Sequence, residues 1–595
     1  MKKHAGLFIA ATAATLGACA TMPPTPDAAL VALVEEYFDK QLELAPMNAT
    51  SIGDSRFDDR LDESTSPGFR EEQLAVERAF LDRARRFDVA SLSPAARVTH
   101  EIFVSEREDA LEGRKFPEDL LPLNQMGGLP TDLAVYGSGS GPQPFNDARD
   151  YRRFLARLRQ FPRWADGAIA LMRTGLARGV SLPRPAVEKV IPQLRGVVTA
   201  RLADNVFWGP IEALPNRMSE PDRRHITAAY TAALTREVLP AYARLADFLE
   251  HDYLPATRTT VGWADLPDGA AWYRWRIRIA TTMDLSPERI HEIGLAEVAR
   301  IRGEMIAVKD RVSFAGDLDA FFKFLEEDPR FYFDNDGELL DAYRDVKHHV
   351  DTLLPKVFAD FPKADYEIRA VESFRAASAA GASYQAPSAD GKRPGIFYIN
   401  THNLKAQPRF GLETLSLHEA APGHHFQIAI QQELAELPRF RRFNNYVSYA
   451  EGWALYAESI GKELGLFVDP YQWYGRLSDE MLRAMRLVVD TGLHSKGWTR
   501  EQAIKYMLDN SSLAQSDVTA EVERYMVWPG QALGYKLGQL HITALRARAE
   551  QQLGAAFDVR EFHSQVLRDG AVPMNVLAAK IDRWIETKAN PRAVK

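Results

Sequence analysis

Residues 418 to 427 read HEAAPGHHFQ, which opens like the zinc-peptidase signature H-E-x-x-H and then puts Pro422 where the second histidine belongs. A zinc hydrolase needs about three protein ligands, an open position for water and a general base beside that water. In H-E-x-x-H the histidines lie four apart, so one helix face presents both while the glutamate reaches toward the water. His418 and Glu419 supply the opening, but the next histidines are His424 and His425. On an unbroken helix a residue six places on lies roughly 240° around and about 9 Å along the axis, unsuited to sharing an ion. Pro422 argues for a break, because it lacks an N–H and its ring collides with the carbonyl of His418. Gly423 can then take the backbone angles a bulge needs. Absorbing two residues puts His424 in the second ligand position, and absorbing three puts His425 there. The two-residue case departs less from helical hydrogen bonding, so His424 is the expected ligand. His425 is then expected to face the cleft wall or substrate.

The third ligand is expected on a second helix, about 25 residues downstream as in peptidases of the glutamate-zincin type. SYAEGWALYAES at 448–459 fits, with Glu451 27 residues beyond His424 and the small residues Ala450 and Gly452 allowing close approach. Glu458, two turns on, is the alternative ligand or a partner that orients a histidine. RYMVWPGQALGYKLG at 524–538 gathers Arg524, Tyr525, Gln531, Tyr535 and Lys536 beside two breakers, Pro529 and Gly530. Such a cluster can donate to an oxyanion or hold a substrate carboxylate. His291-Glu292 imitates the motif, but Leu295 stands where a histidine is needed, so packing or capping is expected there. His348-His349 has no accompanying base and reads as surface.

The elements that must position these residues are mostly helices. DAALVALVEEYFDKQLEL, DYRRFLARLRQF and PERIHEIGLAEVARIRGEMIAVKDRV space apolar residues by three and four. Gly/Pro/Ser clusters at 136–145 and 387–395 punctuate the chain, which has no internal repeat. The exception to helix is 366–401, where YEIRAVESF and GIFYINT favour short strands. Helical patterning resumes from about 411. At 595 residues, 46% hydrophobic and 26% charged, the chain is an ordinary globular sequence long enough for several domains. A net charge of −8 excludes a nucleic-acid role resting on a basic surface.

Lys2 and Lys3 precede an apolar run too short for a comfortable membrane span but suited to a secretory signal. It ends at Leu16-Gly17-Ala18-Cys19, which resembles the bacterial lipobox, and Cys19 is the only cysteine. Lipidation of Cys19 and a periplasm-facing lipoprotein are expected. Ala20 is not the aspartate that marks inner-membrane retention in many such lipoproteins, so that resemblance favours the outer membrane. The expected organisation is a signal peptide over 1–19, a linker over 20–26, an N-terminal helical region over 27–365 and a catalytic region over 366–595.

HEAAPGHHFQ, AEGWALYAE and RYMVWPGQALGYKLG, with SPERIHEIGLAEVARIRGEM and KRPGIFYINTHNL upstream, resemble the bacterial domain-of-unknown-function family 885 over nearly the whole mature chain. That family is similar to helical zinc peptidases of the thimet-oligopeptidase, angiotensin-converting-enzyme and Taq-carboxypeptidase groups. The resemblance implies a mainly α fold, a large helical body with a deep cleft and a small antiparallel β-sheet beside a zinc-binding helix pair. It implies one zinc ion on His418, His424 and Glu451, Glu419 as general base and Tyr535 as transition-state donor, helped by Gln531 or His541. An edge strand, expected at GIFYINT with Tyr398 and Asn400, would align an extended peptide. His425, Arg524, Tyr525, Gln531 and Lys536 complete the expected substrate contacts. The expected function is hydrolysis of short peptides in the cell envelope. The alternatives are a zinc amidohydrolase of a non-peptide amide, or a non-catalytic lipoprotein that binds peptides.

Overall fold

The computed structural model describes residues 24–199, 201–371, 376, 380–387 and 393–590. The expected signal peptide, its Cys19 and residues 20–23 lie outside the described residues. Helices dominate, and their starts follow local chemistry. The helix Pro26–Leu44 begins with a Thr25 side chain that accepts from the Ala28 N–H and a proline at the first helical position. Ser286 before Pro287–Arg311 and Asp469 before Pro470–Ser495 repeat the device. No helix among the described residues is long and apolar enough to cross a membrane.

Helices 287–311 and 470–495 pack side by side and share an apolar core that includes Ile301, Met305, Met485 and Val489. Gly294 makes the contact close, since a Cβ there would lie 2.8 Å from side-chain atoms of Leu487 and Val488. A second core is built almost wholly from residues 47–253. A third joins Leu30, Val34 and Phe103 near the N-terminus to Phe397, Trp453 and Leu577. The expected boundary at 365/366 is thus the point where the sheet begins, and the apolar core runs across it.

Among the described residues that sheet has three strands in the order β1-β3-β2. β1 (Tyr366–Ala370) runs parallel to β3 (Gly395–Ile399), and β2 (Ala382–Gln385) runs antiparallel to it. The sheet is therefore mixed, which corrects the antiparallel expectation. GIFYI is the central strand, which corrects the edge expectation. Four of its five residues are buried, as a strand covered on both faces must be, whereas β2 alternates half-buried with exposed residues and takes the edge. β2 is also the strand that packs against the two helices carrying His418 and His424.

Helices Val447–Ser459 and Leu533–Leu553 cross at very short range. A Cβ on Gly538 would lie 1.9 Å from the Ser448 carbonyl oxygen, and one on Gly452 would lie 2.6 Å from the Gly538 Cα. The small residue expected to clear space for a metal instead clears space for a helix. The result is that Glu451 and Tyr535 share one interface.

Candidate metal centre

Helix Leu412–Glu419 stops at the His418-Glu419 pair, and helix His424–Glu433 begins after a four-residue break. The expected bulge is thus a full break between two short helices. Pro422 cannot donate, and the turn is closed by the Ala420 N–H to the Ser416 carbonyl (3.1 Å) and the His425 N–H to the Ala420 carbonyl (3.1 Å). Gly423 is required, because a Cβ there would lie 1.8 Å from the His418 carbonyl oxygen. The Trp453 indole N–H donates to the Pro422 carbonyl at 2.8 Å and fastens the turn to helix 447–459. Sequence order, break and fastening together carry the histidine rings to Glu451.

There Glu451 Oε2 lies 3.5 Å from His418 Nε2 and 3.4 Å from His424 Nε2. Ligand atoms on zinc at about 2.0–2.1 Å and tetrahedral angles are about 3.3–3.4 Å apart, so these separations suit one ion. Among the described residues this is the one group of three or more His, Cys, Asp or Glu side chains whose ligand atoms converge within 4.8 Å. Glu451 Oε2 is buried and has no hydrogen-bond partner, an orphaned acceptor aimed at two imidazoles. His418 Nδ1 contacts Glu458 Oε1 at 2.7 Å, so Glu458 orients the ring and leaves Nε2 facing Glu451. Burial opposes charge on His418, but the Glu451 and Glu458 carboxylates raise its pKa to about 10. Burial likewise opposes charge on Glu451, and the two imidazoles hold it well below the usual carboxylate range. The cluster favours positive charge at its centre.

Glu419 is half-buried and has no hydrogen-bond or ion-pair partner among the described residues. Its carboxylate is left to act on something that binds beside the triad. Tyr535 lies on the helix packed against the one that carries Glu451. Burial and the nearby Glu451 charge keep its hydroxyl protonated, while Arg486, Arg524 and a hydrogen bond with Gln531 work the other way. The Arg486 guanidinium carbon sits 4.3 Å from the centre of the Tyr535 ring. Gln531 accepts from Arg524 Nη1 at 2.7 Å and lines a cavity of about 840 Å³ between helices 94–113 and 269–281 and the start of helix 447–459. Val447, one turn before Glu451, lines the same cavity.

A family model described as bacterial protein of unknown function (DUF885) matches residues 46–581. The chain belongs to that family. It is similar to the crystal structure of "the putative lipoprotein from Colwellia psychrerythraea", at 32% identity and a TM-score of 0.86, covering 95% of this chain and all (100%) of that one. It is also similar to "a putative lipoprotein of unknown function from Shewanella oneidensis", with 17% identity, a TM-score of 0.69 and coverage of 92% of this chain and 99% of that one, a likeness of fold alone. Among curated proteins none matches.

Several residues expected at the candidate site have partners of their own. His425 is buried between Tyr366 and Tyr384, its Nδ1 2.8 Å from the Tyr384 hydroxyl. Burial pushes its pKa down to about 4, so it serves the sheet as a neutral ring rather than facing substrate. Lys536 is fully buried on the far side of its helix, bonded to Glu480, Gln539 and Glu297. Tyr525 is buried and donates to Glu521. Asn400 is buried, with its amide donating to the Ala376 carbonyl. Tyr398 lies on the central strand and donates to Gln385 on β2 at 3.4 Å. His541 lines the cavity at its Pro573 end, where burial lowers its pKa. His291 packs on Trp498 and contacts Thr491, and His348 and His349 are exposed, as expected of all three.

The sequence reading did not single out Arg483 and Arg486, two cations on helix 470–495 that act electrically on Tyr535. Their i, i+3 spacing within an otherwise apolar run was the available signal.

Proposed function

We propose that this protein is a zinc-dependent hydrolase of short peptides, exported as a lipoprotein and anchored at the outer membrane. The observation that carries the reading is the convergence of His418, His424 and Glu451 within 4.8 Å, with Glu451 Oε2 at 3.5 and 3.4 Å from the two Nε2 atoms, close to the edge length of one tetrahedral ion. Zinc held by these three atoms would supply Lewis acidity, which polarises a carbonyl and acidifies water. Glu419 takes the proton from the attacking water at its free carboxylate and returns it to the departing amine. Tyr535 donates its hydroxyl to the oxyanion that forms, and Glu458 holds the His418 ring in place from behind. Among the described residues β2 is an edge strand, on which an extended peptide would align by main-chain hydrogen bonds. The lipobox-like end of the signal, and a relative described as a putative lipoprotein, support the envelope location.

The test is digestion of a peptide library by the purified protein with its metal intact, after chelation, and with Glu419→Gln. The reading expects cleavage that chelation abolishes, zinc restores and Glu419→Gln lowers by about 10³-fold with the metal retained. Intact peptides from a metal-loaded wild-type protein would refute it.

A further inference from the structure

The cavity of about 840 Å³ runs up to the triad, since its wall includes Val447, one turn before Glu451, and Gln531, four residues before Tyr535. Its volume falls in the range of about 300–1,000 Å³ usual for small-ligand sites. The charge of its wall is lopsided. Each guanidinium there has a carboxylate behind it that lies outside the cavity: Glu77 at 2.6 Å from Arg107, Glu118 at 3.2 Å from Arg276 and Glu112 at 2.6 Å from Arg278. The carboxylates of the wall itself, Glu106, Asp109 and Asp284, are therefore in excess. Glu106 is fully engaged, accepting from Asn444 Nδ2 at 2.6 Å, from the Tyr446 hydroxyl and from Arg107 Nη2 at 3.1 Å. Asp109 gives one oxygen to Arg278 at 3.1 and 2.9 Å, yet burial still holds its pKa above the ordinary carboxylate value. Asp284 is exposed and has no hydrogen-bond or ion-pair partner among the described residues.

A second acceptor stands at the same end of the cavity. Thr282, two residues from Asp284, accepts the Met574 N–H at 2.8 Å. His541 also makes a backbone hydrogen bond with Met574, and with that N–H engaged the ring donates from Nδ1 to the carbonyl. Its Nε2 is left as an acceptor, buried and without a partner. Burial lowers the His541 pKa, so the ring stays neutral and the lone pair stays available. A buried acceptor without a donor costs free energy until one arrives. A donor that is also a cation satisfies both the imidazole and the surplus carboxylates. Trp275, Ile279 and Met283 add apolar wall for the stem of a long side chain.

We propose that this cavity receives a lysine or arginine side chain of the substrate, its cationic head met by Asp284 and by His541 Nε2, so that the protein prefers basic peptides. The inference rests on the peptidase reading for the reaction and adds the class of peptide. The contact is the same before and during bond breaking, so it acts on KM more than on kcat.

The test uses N-acetylated peptides on the full metal-loaded protein, with lysine, norleucine or glutamate placed at each position in turn. Turnover is measured with wild type, and binding by calorimetry with Glu419→Gln. At its best position lysine is expected to exceed norleucine about 10-fold and glutamate about 100-fold in both kcat/KM and Kd. Added salt should shrink the gap, because Asp284 is exposed. Asp284→Asn should bring the lysine-to-norleucine ratio to about 3-fold or less through KM, and Asp284→Glu should recover part of it. His541→Phe, which keeps a ring and removes the acceptor, should lower the same ratio. Equal kcat/KM and Kd for lysine and norleucine peptides at every position would overturn the cation site while leaving a peptidase. A wild-type ratio in both Asp284→Asn and His541→Phe would overturn its place in this cavity, and selectivity seen only in unacetylated peptides would overturn the side-chain assignment in favour of the terminal amine. Lysine-selective binding with no cleavage would keep the cavity site and refute the peptidase reading.

Discussion

At the scale of single residues, the chemistry turns on which ring nitrogen faces which carboxylate. Glu458 touches only the rear of His418, so Glu458→Gln should leave the three ligand atoms in place and weaken their hold on the ion. Zinc affinity is expected to fall about 10–100-fold, measurable by competition with a chelating dye. Unchanged affinity would show that the contact is incidental. His425→Ala tests the neighbouring histidine by a different readout. It empties the space between Tyr366 and Tyr384 and strands the Tyr384 hydroxyl, so stability in urea should drop by about 2–4 kcal/mol while metal content stays. The residues that converge here were legible because residue type and spacing are local signals. His418, Glu419 and His424 declare themselves by type and by the Pro-Gly break between them, and Glu451 by distance along the chain. The roles of His425, Lys536 and Tyr525 were not legible. Each carries a reactive side chain beside the motif, and only packing decides that it points into the core.

At the scale of elements, two contacts hold the site together. Ser448 and Gly452 meet Gly538 so closely that any side chain at 538 strikes backbone on the opposite helix. Gly538→Ala should cost about 1–3 kcal/mol of stability and, by moving Tyr535 away from Glu451, lower kcat more than it changes metal content. Wild-type turnover in that variant would detach Tyr535 from the mechanism. The second contact is Asp490, whose carboxylate accepts the Gly530 N–H at 3.1 Å and the Tyr273 hydroxyl at 2.5 Å. It fixes the Pro529-Gly530 turn that leads to Gln531 and Tyr535. Burial raises the Asp490 pKa to about 7, so between about pH 4 and pH 7 the folded chain keeps a proton that the unfolded chain has lost. The native state binds more protons at this group there, so its contribution to stability falls as pH rises through that window. Asp490→Asn should flatten that slope, and a slope unchanged in the variant would assign it to another group. The strands show why sequence stops short at this scale. YEIRA and GIFYI announced themselves by β-branched and aromatic residues, but four-residue β2 did not, and without β2 nothing marks β3 as central. Arg483 and Arg486 were hidden for a similar reason, since charges on a 26-residue helix read as a solvated face until the neighbouring helices cover them.

At the scale of the whole molecule, the N-terminal helices share a core with the helices that carry His418, His424 and Glu451. That core needs no lipid to form. Cys19→Ala is expected to leave the membrane fraction while retaining full thermal stability, and detergent partitioning identical to wild type would exclude lipid attachment at that residue. All of this depends on the ion. The most direct measurement is elemental analysis of the purified wild-type protein beside His424→Ala and His425→Ala. About one zinc per chain in the wild type, loss of that zinc in His424→Ala and its retention in His425→Ala is the predicted result. Zinc that survives in His424→Ala, or a correctly folded wild-type protein that takes up none, would contradict the metal centre on which the proposed function stands.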